Sequence, residues 1–211
     1  MSLEDKVQDK ESKGFIKKAL TIGWKLGMAA ATTALSMPLV GTLGVAVGGA
    51  FAVGSLIGNL AAGSSVYESI SKSLTTYSAV NAVIYPMVWM GNATLPLIQN
   101  HDLAGKLLRG IYASTVYNAA FVGTFNAASH LVDNYLNPVG ITSAIKKDFF
   151  RDWWQIGLMF SPFYYMAANN IAGISLYHPK IGFNSAPTFA VGAFPVGLAH
   201  NYLNPINAKK H

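Results

Sequence analysis

Forty-two consecutive residues, numbers 26–67, carry no charged side chain. Four more charge-free runs follow: 29 residues between Lys72 and Asp102, 23 between Arg109 and Asp133, 27 between Asp152 and Lys180, and 28 between Lys180 and Lys209. A helix that crosses a bilayer needs about 20 residues without an unpaired charge, because the hydrocarbon offers no water to hydrate one. Each of the later runs holds one such helix, and the first holds two if they are joined by a tight turn near Pro38 to Gly41. The pattern predicts six spans, at about 17–38, 42–63, 74–98, 106–131, 150–175 and 183–203.

Composition agrees. Charged residues make up 11% of the 211, against roughly 25% in soluble domains, which is too few to cover a water-facing surface. No segment alternates polar and apolar residues for the length of a barrel strand. Residues 41–63 lack the polar face that a soluble amphipathic helix would show. The expected fold class is therefore all-α, a polytopic transmembrane bundle, with the bilayer as its first partner.

Basic residues set the expected orientation. Six spans put both termini on one side with the loops after spans two and four. That side gathers Lys6, Lys10, Lys13, Lys17, Lys18, Lys72, Lys146, Lys147, Arg151, Lys209 and Lys210. The other side holds Lys106, Arg109 and Lys180. The positive-inside rule assigns the richer side to the cytoplasm or its organellar equivalent. Residues 1–16 then form a charged cytoplasmic segment, 17–205 the transmembrane domain and 206–211 a basic tail. Lys25 falls inside the first span, close enough to its start for the ammonium to be expected to snorkel outward. The first 18 residues carry nine charges of both signs, which is not the pattern of a cleavable signal peptide. No basic run with interleaved aromatics suggests nucleic-acid binding. With no cysteine, disulfides and thiolate metal sites are excluded.

Glycines recur four apart: Gly23 and Gly27 in span one, then Gly44, Gly48, Gly54 and Gly58 in span two. Such spacing makes a flat stripe that admits a neighbouring backbone. It serves either an oligomer contact or pore wall, or packing inside one chain, most simply between spans one and two. The pentapeptide Asn134-Tyr135-Leu136-Asn137-Pro138 recurs as Asn201-Tyr202-Leu203-Asn204-Pro205, each copy closing a span. Pro86 and Pro162 sit mid-span, each followed four residues later by a methionine and then by Asn92 or Asn169. Residues 72–138 and 146–205 read as two copies of one helical hairpin, in parallel about an axis along the membrane normal. The repeated tail is either an interfacial anchor that stops a helix or a polar ring at the mouth of a central path.

Inside the spans stand Asn81, Asn92, Asn118, Asn126, Asn169 and Asn170, with His130 and His200 near two span ends. Amides at that depth either bond across the bundle or line a wet path. Mid-span prolines free backbone carbonyls, and broken helices are where transporters place substrates. The candidate path is thus Pro86, Asn92, Pro162, Asn169, Asn170, His130 and His200, centred on Pro162. His130 and Asp133 share a helical face and could relay protons or form a hydrated capping pair. Asp148, Arg151 and Asp152, followed by two tryptophans, read as an interface anchor.

The stretch FVGTFNAASHLVDNYLNP from Phe121, with Ala144-Ile145-Lys146-Lys147 and a proline-centred aromatic span, is similar to a family of small inner-membrane channels of mitochondria and peroxisomes. The likeness covers less than a third of the chain. That family's tryptophan-proline and glutamine positions are not matched, and it has four spans where six are expected here, so no family is assigned. No phosphate loop, zinc helix or nucleophile elbow is present, and no catalytic residue, metal or cofactor is expected. The expected function is a small channel or facilitator for polar solutes or ions. The alternative is a non-catalytic membrane subunit or scaffold that packs with partners or copies of itself through its glycine faces.

Overall fold

The computed structural model describes residues 3–169 and 186–206. It is all-α, and the described residues include no strand. The helices are α1 (Leu3–Val40), α2 (Leu43–Ala61), α3 (Val66–Thr94, ending in a 3₁₀ turn at Leu95–Leu97), α4 (Leu103–Tyr112), α5 (Asn118–Asp133), α6 (Ile141–Ala168) and α7 (Ala186–Leu203). A π-turn at Ala113–Tyr117 carries α4 directly into α5. The charge-free runs are therefore spanned by six rods, with α4 and α5 counted as one.

Helix ends fall where local chemistry stops or starts them. The turn between α1 and α2 sits at Gly41, whose φ of 60° suits a residue without a Cβ. A capping box opens α3: Ser65 Oγ accepts from Glu68 N, and the Glu68 carboxylate accepts from Ser65 N. This starts α3 eight residues before the 74 expected from charge alone. Helix α6 likewise begins at Ile141 rather than 150 and stops at Ala168 rather than 175. Asn169 caps it there, its backbone N–H donating to Tyr165 O.

Five rods close into a ring in the order α2, α3, α5, α6, α7 and back to α2, while α1 lies outside it, mainly against α3. The seam between α2 and α7 is the tightest. A Cβ at Gly54 would collide with Phe194 O and one at Gly58 with Leu198 O, so only glycine lets these backbones meet. Gly44 and Gly48 instead accommodate the Asn81 side chain of α3. The glycine faces of α2 are thus used within the chain, mainly against α7 and α3, with Ser36 of α1 also reaching Gly44. Gly23 and Gly27 of α1 have no neighbour within 4 Å.

The ring's interior mixes apolar and polar groups. Val80, Val88, Val122 and Val196 are fully enclosed, and so are Asn59, Asn81, Asn118, Thr75, Ser55 and Ser69. Many large apolar residues face outward, among them Leu20, Leu35, Trp89, Leu107, Leu158 and Val191. Among the described residues, one helix, Leu43–Ala61, is both long and apolar enough to cross a membrane on those two measures. Serine, threonine and asparagine dilute α3, and charges enter α1 and the first half of α6.

Candidate functional site

Between α3, α5, α6 and α7 lies a cleft of about 710 Å³, open at the end where α5 and α7 finish. Its walls alternate amides with charges: Thr76 and Lys72 from α3, Asn126, Ser129 and His130 from α5, Lys147 and Asp152 from α6, and His200 and Asn204 from α7. Both tails of the repeated pentapeptide contribute to this vestibule, through Asn134 on one side and Asn201, Asn204 and Pro205 on the other.

The two copies are not built alike. At the first, Asn134 ends α5 and both Tyr135 and Leu136 take left-handed φ angles of 54° and 63°. Side chains rarely adopt that conformation without support. Support comes from α1: the Tyr135 ring packs on Trp24 at 5.3 Å and its hydroxyl lies 3.2 Å from Thr21 Oγ1. Trp24 Nε1 also donates to Val132 O. At the second copy Asn201, Tyr202 and Leu203 remain helical, and α7 ends at Leu203, with Asn204 just beyond it. Asn134 and Asn204 then play the same part. Each donates from its side chain to the carbonyl of the histidine four residues earlier, His130 or His200, at 2.8 Å. The two histidines, out of register when the pentapeptides are aligned, are in register when the helix ends are.

The histidines differ in what they meet. His130 Nε2 bonds the Val139 carbonyl at 2.9 Å, whereas His200 Nε2 lies 3.1 Å from Asp152 Oδ1. Asp152 also accepts from Arg151 Nε and Nη2, and Arg151 reaches Asp148 at 3.0 Å. Asn204 adds a bond to Gln155 at 2.8 Å. The charged stretch at the start of α6 thus forms the vestibule wall and clamps α7.

Asp133 does not pair with His130. It receives Lys25 Nζ at 2.5 Å and Thr75 Oγ1 at 2.7 Å. Lys25 is 6% exposed and donates as well to Ser71 O and Ser71 Oγ. Its ammonium does not snorkel outward, because a carboxylate and two oxygens inside the bundle satisfy it more fully than the rim of the helix would. The partners are 108 positions apart in sequence, and no local pattern could have joined them.

Inward, the vestibule narrows to Phe51, Phe121 and Ile156, which also wall a separate apolar void of about 30 Å³. Phe51 stacks on Phe160 at 6.4 Å, Phe160 on Phe189 at 5.8 Å, and Tyr117 meets Tyr164 edge-on at 5.9 Å. This aromatic partition is pinned by Asn118, which accepts from Tyr164 Oη at 3.0 Å and donates to Trp153 O at 2.6 Å. The π-turn just before Asn118 places it there, and Trp153 Nε1 donates back to Thr115 O inside that turn.

The rest of the expected path lies elsewhere. Pro86, Pro162 and Pro195 all point to the outer surface. Ser161 Oγ covers Leu158 O, the carbonyl that Pro162 leaves unbonded, at 2.8 Å. Pro162 therefore makes no opening toward the centre. Asn169 donates to Lys106 O and Tyr165 O at the end of the bundle opposite the vestibule, and Asn92 lies toward that end of α3. Asn170 is outside the described residues. Of the expected path residues, the vestibule brings together His130 and His200. No group of three acids or histidines suited to a metal occurs among the described residues. Comparisons with protein-family models, curated proteins and solved structures returned no match.

Proposed function

We propose that this chain is a multi-pass membrane facilitator whose solute path begins in the vestibule and is closed, in this conformation, by the aromatic partition. The observation that carries the reading is the continuity of the two: a polar cleft of about 710 Å³ runs inward to Phe51, Phe121 and Ile156, beyond which lies an apolar void. Apolar constrictions gate such paths by excluding water. The membrane setting is supported by the distribution of side chains, with asparagine, serine and threonine enclosed within the ring and leucine, tryptophan and valine exposed on its outer face. It is supported also by the five charge-free runs and by the excess of lysine and arginine at the vestibule end, which the positive-inside rule assigns to the cytoplasm.

Liposomes containing the purified chain should pass small polar solutes faster than protein-free liposomes. Replacing Ile156, which lines both the cleft and the apolar void, by serine should raise that flux. Flux at background for neutral, anionic and cationic solutes alike would refute the reading.

One observation favours a second reading, a scaffold that packs through α1. Gly44, Gly48, Gly54 and Gly58 of α2 are used within the chain, while Gly23 and Gly27 are open and Leu20 and Leu26 are exposed nearby. Light scattering corrected for detergent distinguishes the two. An assembly that Gly23→Leu dissociates supports the scaffold, and a monomer that still conducts removes its support.

A further inference from the structure

We propose that the vestibule is a binding site for a small anion bearing a carboxylate or phosphate group. The assignment rests on reading this cleft as the solute path and names the class of solute. Every carboxylate in the wall is already engaged. Asp133 holds Lys25, Arg151 holds both Asp148 and Asp152, and His200 faces Asp152 as well. A cation entering the cleft meets no free acid. The opposite charges are not matched in this way. Lys72 and Lys147 line the same cleft, and neither forms an ion pair among the described residues.

Deeper in, two polar groups one helical turn apart lack partners. Ser129 is 7% exposed and its Oγ has no hydrogen bond, and Asn126 Nδ2 has none either. An amide nitrogen can only donate, and a buried donor without an acceptor is costly. Both residues line the cleft, where the oxygens of an anion would accept from them. Lys72 from α3 then supplies the charge from across the cavity. The volume falls within the roughly 300–1,000 Å³ of small-ligand pockets. A free anion and the phosphate of a lipid headgroup share this chemistry.

The test is calorimetric titration of the full chain in an uncharged detergent at constant ionic strength. Sodium phosphate, sodium succinate, choline chloride and short-chain phosphatidic acid are the separate probes. Phosphate or succinate should bind and choline should not. Lys72→Gln should weaken binding at least about tenfold and Ser129→Ala by a smaller factor. Lys146→Gln, a neighbour on α6 that does not line the cleft, should change it by less than about twofold. Binding by phosphatidic acid alone, lost in Lys72→Gln, would keep the site and assign it to lipid. Choline binding in place of the anions, no anion binding at all, or anion binding indifferent to Lys72 and Lys147 would overturn the proposal. Flux is read independently: anion binding with background flux removes the facilitator and keeps the site, while flux of neutral solutes without anion binding does the reverse.

Discussion

The two ends of the bundle hold similar polar groups and put them to opposite use. At the vestibule end, asparagines, histidines and lysines stand around a cleft and leave part of their bonding capacity to whatever enters. At the far end Arg109 turns its donors on the backbone, and Asn169 does the same with its amide nitrogen, though its Oδ1 has no partner among the described residues. Arg109 donates through Nε and Nη2 to Ile98 O and through Nη1 to Ala168 O, and Asn169 ties Lys106 O to α6. Helix termini expose carbonyls that the helix cannot satisfy itself. A buried guanidinium, with five donors in a fixed fork, can satisfy several of them at once. The described helix ends there are thereby tied to one another, and the contrast teaches that counting polar residues does not locate a path. What matters is whether their bonds are already made.

The largest effect on this contrast should come from the ion pair beside the open end. Asp133→Ala strands Lys25 inside the bundle and is expected to cost about 3 kcal/mol, measured by unfolding in mixed micelles with increasing dodecyl sulfate. The double replacement Lys25→Met with Asp133→Leu should recover most of that loss. A double variant no more stable than Asp133→Ala would show that the charge pair is not the source. Next in size is the end tied by Arg109. Arg109→Met frees the Ile98 and Ala168 carbonyls and should destabilise by about 2 kcal/mol, with faster amide exchange at the end of α6 as its local signature. Smaller again is the partition between the ends, where Tyr164→Phe removes one bond to Asn118 at about 1 kcal/mol and should raise any leak through the bundle. The smallest is Ser161→Ala, on the outer surface, expected within about 0.5 kcal/mol of the parent. A larger loss there would mean that the Pro162 bend matters more than its outward position implies.

The charge gaps read in sequence found every rod, because a long apolar run inside a compact bundle has few alternatives to a helix. They misplaced the ends because charge does not stop a helix. The Ser65-x-x-Glu68 box that begins α3 was legible and outranks the gap as a boundary signal, and α6 simply begins in charged sequence. The candidate site was half legible. The repeated asparagine tails pointed to one mouth of the bundle, and the histidines beside them do line it. The prolines misled, since proline position along a helix says nothing about which face it occupies. The Lys25–Asp133 pair and the partner of the α2 glycines could not be seen at all, because both depend on which helices become neighbours after the chain has folded back.

That last contact carries a consequence for how the chain is made. Gly54 and Gly58 of α2 close on Leu198 and Tyr202 of α7, so the tightest seam joins an early helix to the latest one described. At translation rates of about 5–20 residues per second, α2 waits on the order of ten seconds for the backbone it fits. During that interval its groove is an open invitation to any other small-faced helix. Among the described helices the closest packing therefore forms late rather than early, and a shortage of chaperoning during synthesis should show itself first as α2 paired with the wrong neighbour.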